Sequence, residues 1–122
     1  MDYGETVAEL ERFVGKAVWV GVFVRQGGER FPVLASAGRF QKAGPVDPVL
    51  APAVKDLGQP DNATFLLDEP RVWLTLWANL LVDADWVEVA GGQRLRLELP
   101  GGAGIDLAEL RDEEELKLLG LA

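Results

Sequence analysis

The sequence predicts an α+β, mainly β fold: a curved antiparallel sheet or half-closed small barrel of about five or six strands, with an N-terminal and a C-terminal helix. Three observations predict it. Apolar residues alternate with period two through Val18, Val20, Val22 and Val24, and shorter β-branched and aromatic runs follow. Glycine pairs at Gly27-Gly28 and Gly91-Gly92 separate such runs as hairpin signals. The helices that the spacing and caps predict stand at the two ends, with a turn or two of helical spacing also at Val49, Ala53 and Leu57.

The chain reads as one domain over residues 1–122. A helix over about 6–14 starts with the capping box Thr6-Val7-Ala8-Glu9, buries Val7, Leu10, Phe13 and Val14, and ends at Gly15. A hairpin over about 17–41 turns at Gly27-Gly28, which sets Val24 against Phe31, Val22 against Val33, Val20 against Ala35 and Val18 against Ala37. That register also opposes Arg25 to Arg30, an unfavourable like-charge pair unless an anion joins it. Residues 42–62 are rich in Pro and Gly, and a long irregular connection of this kind often carries a lid or a partner-binding segment.

Strands fill residues 63–99. Ala63 to Leu67 turns through Asp68-Glu69-Pro70-Arg71 into Val72 to Trp77, which places Thr64 opposite Thr75 and Phe65 opposite Leu74. A helix over 70–82 competes, with Pro70 in its first turn, but Trp, Val and Thr favour strand through Trp77. In the next hairpin a three-residue loop, Gly91-Gly92-Gln93, pairs Val89 with Leu95, Val87 with Leu97 and Glu88 with Arg96. A helical segment over 106–121 follows, capped by Asp106 and Glu109, and its apolar end, Leu116 to Leu121, has to dock on the sheet or on a second subunit.

Composition excludes more than it assigns. The chain holds no Cys and no His, which removes triads, thiol chemistry, disulfides and Cys/His zinc sites. A net charge of −8 without a basic cluster argues against nucleic acid and anionic membranes as partners. The N-terminus has neither the basic nor the apolar region of a secretory signal, so a cytoplasmic location is expected, and no cofactor is expected. Neither GxGxxG nor GxxxxGK[ST] occurs.

Asp83, Asp85 and Glu88 are the candidate metal ligands, although solvated turn carboxylates explain them more simply. Trp19, Trp73 and Trp77 lie on the second faces of their strands, where aromatics pack under a helix, line a pocket or form an interface. With Leu118 and Leu121 they are the candidate interface or pocket residues, and Arg25, Arg30 and Arg39 are candidate anion contacts. No catalytic set emerges. The expected function is a non-catalytic interaction or assembly module, homo-oligomeric or bound to another protein, burying an aromatic and aliphatic patch with an acidic rim. One alternative is a small-molecule binder or minor enzyme with a Trp-lined pocket that grips an anionic ligand. Another is an acidic chaperone for a basic client.

Overall fold

In the computed structural model, which describes residues 1–43, 62–68, 71–90 and 92–121, one antiparallel sheet of seven strands organises the chain. Helix α1 (Tyr3–Glu11) precedes β1 (Ala17–Gln26) and β2 (Glu29–Ala43). Then come β3 (Asn62–Asp68), β4 (Val72–Trp77), β5 (Asp83–Val89), β6 (Gly92–Glu98), β7 (Ala103–Glu109) and the short helix α2 (Glu113–Leu118). The spatial order is β4-β3-β2-β1-β7-β6-β5. The Pro/Gly-rich segment singled out as a lid lies almost wholly outside the described residues.

Strand parity explains why this sheet does not close. Every neighbouring pair is antiparallel, so with seven strands the two edge strands β4 and β5 run in the same direction. Closing the barrel would need a parallel pair, and a parallel connection takes a dozen or more residues. The link from Trp77 to Asp83 holds five residues (78–82) and reaches at most about 21 Å. A flat sheet of this size would separate its edges by about 29 Å. The sheet therefore curls and stops short, with an edge on each side of the gap.

Inside the curl lies the core. Val18 and Val20 of β1, Phe40 of β2, Phe65 and Leu67 of β3, Leu95 and Leu97 of β6, and Ile105 and Leu107 of β7 are buried there. Helix α1 closes it with Leu10 and Phe13, and Phe13 meets Phe40 edge-on at 6.1 Å and Trp86 at 5.8 Å. The helix is tied across the sheet at both ends. The Met1 ammonium donates to the Ala84 carbonyl at 3.0 Å, and Lys42 meets Glu11 at 2.8 Å.

The β1–β2 tip and the β3–β4 hairpin have the expected registers: Arg25 opposes Arg30, Thr64 opposes Thr75 and Phe65 opposes Leu74. The strand reading of 72–77 holds, and Gly15 takes the left-handed conformation expected past the helix end (φ 86°).

Four details differ. The capping box is Asp2 with Glu5, one turn earlier than expected; Thr6 is buried inside the helix, its hydroxyl donating to the Asp2 carbonyl at 2.7 Å. Val33 is an extra residue at a bulge, so Val22, Val20 and Val18 oppose Leu34, Ser36 and Gly38. The β5–β6 pairing is Trp86 with Leu95 and Val89 with Gly92, so the expected Glu88–Arg96 pair does not form. Leu95 and Leu97 face the core in either register; the difference lies in β5, where Ala84 and Trp86 take the core side in place of Val87 and Val89, with Trp86 packed on Phe13 of α1.

Residues 103–109 are the fourth departure. They form β7 instead of the start of a helix, which raises the strand number to seven. Ile105 and Leu107 alternate with Asp106 and Ala108 at period two, and β1, apolar on both faces, takes β7 as its second neighbour. Helical structure resumes only at Glu113, capped by the Asp112 carboxylate.

Candidate functional site

Two features of the outer, convex side stand apart from ordinary packing: a knot of arginines over β1, β6 and β7, and the edge strand β4.

Asp106 is fully buried at the centre of the knot. Arg30 donates to it from Nη1 (3.2 Å) and Nη2 (3.1 Å), and Arg96 from Nε and Nη2 (both 3.0 Å). Burial alone pushes the Asp106 carboxyl up. The hydrogen bonds from Arg96 and Arg30, with their charges, outweigh that and hold it below the usual carboxylate range. Arg94 reaches the same carboxylate only at 3.8 Å. Its guanidinium instead lies over the Trp19 ring at 4.7 Å, as that of Arg30 lies over Phe23 at 4.4 Å. Gly21, between Trp19 and Phe23, leaves room for both rings: a Cβ there would sit 2.3 Å from the Trp19 indole.

Of the expected anion contacts, Arg30 is in this knot and Arg25 at its margin, where it meets Glu98 at 3.1 Å. Arg39 is elsewhere; it donates to the carbonyls of Gly15 (3.4 Å) and Leu121 (3.0 Å) and holds the C-terminal tail. Arg94, Arg96 and Asp106 are members the sequence reading missed. Their signal was present, since each alternates with core leucines or isoleucine and therefore faces outward.

Strand β4 reads Val72-Trp73-Leu74-Thr75-Leu76-Trp77, and residues 72–82 carry no charged side chain. Its residues are half-buried on both sides of the sheet, with only Leu76 fully covered, and β3 is its sole strand neighbour among the described residues. Trp73, Thr75 and Trp77 share the outer side, and Thr75 Oγ1 lies 3.0 Å from Thr64 Oγ1.

Other stretches of open edge are guarded. β5 carries Asp83, Asp85 and Glu88. Among the described residues β2 has no partner on its far side over residues 29–38, and there it bears Arg30, Pro32 and the Val33 bulge. Charges, proline and bulges all discourage pairing with another chain, and β4 has none of them.

The remaining candidates fall apart. Asp83 and Asp85 face outward while Glu88 faces the other way, so they do not converge on a cation. Asp83 and Asp85 instead accept from the backbone amides of Ala84 (2.9 Å) and Trp86 (2.8 Å). The tail does not dock on the sheet as one apolar unit: Leu118 is 86% exposed, α2 buries no residue, and Leu121 is half-buried. Unforeseen is an apolar patch at the β1–β2 tip, where Val33 and Leu34 are about 60% exposed beside Phe31.

Among the described residues no helix is long and apolar enough to cross a membrane. Compared with protein-family models, curated proteins and solved structures, the chain matches none of them.

Proposed function

We propose that this protein is a non-catalytic assembly module of the cytoplasm that pairs with a second copy of itself through the β4 edge. The single observation that carries the reading is the contrast between edges: among the described residues β4 alone is uncharged, free of proline and regular in register, while β5 and the open part of β2 are guarded.

A second copy is the occupant that charge favours. Two chains of net charge −8 repel each other over most of their surface, and residues 72–82 form an uncharged strip along which they can meet. Antiparallel pairing keeps core sides together only when opposed residues have the same parity. With the two-fold axis at Thr75, Trp73 of each copy lies opposite Trp77 of the other on the outer side, and Leu74 lies opposite Leu76 on the core side. Each aromatic pair adds about 0.5–1.5 kcal/mol beyond its buried area. Shifting the axis to Leu74 sets Trp73 against Thr75 and leaves both tryptophans without an aromatic partner.

Native mass spectrometry across a concentration series tests the reading. A dimer is expected for the natural sequence and a folded monomer for Trp73→Ala/Trp77→Ala. A monomer at every concentration would defeat self-assembly. Loss of fold in the double variant would assign the tryptophans to internal packing.

A further inference from the structure

We infer that Arg94, on the platform of Trp19, Arg30 and Arg96, binds a small oxyanion, the phosphate or carboxylate group of a soluble ligand. The inference is independent of self-assembly, since no residue of β4 takes part in the arginine knot.

Charge balance is the first support. Arg30, Arg94 and Arg96 converge on one carboxylate, so the knot holds two positive charges more than Asp106 neutralises, within a chain of net charge −8. Glu98, whose charge also reaches Arg96, does not change the balance, because it comes paired with Arg25. Asp85 stands cross-strand from Arg96, but its carboxylate accepts from the Trp86 amide and reaches no arginine within ion-pair distance. Like charges gathered around one carboxylate repel each other, and an anion held among them removes that cost.

The second support is the unequal treatment of the three arginines. Arg30 and Arg96 take up the four hydrogen-bonding directions of the Asp106 carboxylate. Arg94 is left with a 3.8 Å charge contact, and its guanidinium carbon lies 4.7 Å from the centre of the Trp19 ring. A guanidinium carries a fork of N–H donors matched to two oxygens of an anion, and contact with the ring lowers the entropy left to lose on binding.

Access is the third. Arg94 and Trp19 line an open groove of about 1070 Å³ that runs past Lys16, Arg12 and Arg111. Each of those cations is in close contact with a carboxylate: Arg12 meets Glu9 at 3.1 Å, while Lys16 and Arg111 share Glu109 at 3.0 and 2.6 Å. Asp112 and Glu115, also on the groove, come within ion-pair distance of no cation among the described residues, and Asp112 caps α2. Among the groove's described cations Arg94, at 3.8 Å from Asp106, is the one held least closely by a carboxylate.

Titrating the protein with inorganic phosphate at constant ionic strength, while following indole fluorescence and the arginine Nε–H resonances, tests this. A saturable change is expected, weakened at least tenfold in Arg94→Ala and unaltered in Arg39→Ala, with both variants folded by circular dichroism. Equal saturation in Arg94→Ala would overturn the assignment, as would a response that never saturates or that chloride reproduces.

Discussion

Arg96 holds both oxygens of Asp106, with Nε and Nη2 each 3.0 Å away, and this pair joins β6 to β7 on the outer side of the sheet. It recurs in the pH dependence of stability. Asp106 and Glu109 both have carboxyls held below their ordinary values in the folded protein, Asp106 by Arg96 and Arg30 against its burial, Glu109 chiefly by the Arg111 hydrogen bond. A depressed carboxyl contributes stability above its unfolded value, near pH 4, and that contribution is lost as pH falls through the folded value. Asp106→Asn should therefore lower stability at pH 7 by about 3 kcal/mol, because it leaves arginines unpaired, and should flatten the decline below pH 4. Urea unfolding at pH 7, 5, 4 and 3 checks both.

The Thr64–Thr75 pair predicts a double-mutant cycle. Thr75→Val strands the buried Thr64 hydroxyl and should cost about 1–2 kcal/mol. Adding Thr64→Val removes the stranded group and should recover most of the loss. Equal and additive costs in chemical denaturation would show that the hydroxyls act separately.

Two glycines separate backbone from side-chain crowding. A Cβ at Gly38 would lie 2.8 Å from the Asp68 carbonyl oxygen, where β2 and β3 meet and neither backbone can yield. Gly38→Ala should cost about 1–3 kcal/mol. At Gly21 the obstacle is the far end of the Trp19 ring, which can swing aside. Gly21→Ala should cost less, yet shift the indole emission and weaken phosphate binding as Trp19 leaves Arg94.

Pro32 is read as a guard on the open part of β2. Pro32→Val restores an N–H beside exposed Val33 and Leu34, and should raise concentration-dependent light scattering while leaving the helical and strand content unchanged. Scattering equal to that of the natural sequence would mean that the bulge alone protects this edge.

Elements that depend on two neighbouring strands were legible in the sequence. The Gly27-Gly28 turn fixed the tip register with Arg25 opposite Arg30, and a four-residue turn over 68–71 fixed Thr64 opposite Thr75. What failed depends on a third strand or a distant contact. The β5–β6 register puts Ala84 and Trp86 on the core side, Trp86 against Phe13 of the distant N-terminal helix, and β7 was hidden because Asp106 and Glu109 mimic a helix cap. Arg30 meets Asp106 across 76 positions, a separation that no local pattern encodes. The tryptophans of β4 were legible as outward-facing, whereas the bareness of their edge follows from sheet order.

The most direct measurement of the self-assembly claim uses the absence of cysteine from the chain. With the two-fold axis at Thr75, the two copies of that residue stand opposite each other with Cβ atoms about 5 Å apart, near enough for a disulfide after slight adjustment. Thr75→Cys, oxidised gently at micromolar concentration, should give a covalent dimer in high yield, and Leu80→Cys, outside the strand, should not. A dimer in native mass spectrometry without the Thr75→Cys cross-link would contradict this register. A monomer in both measurements would contradict assembly through β4 altogether.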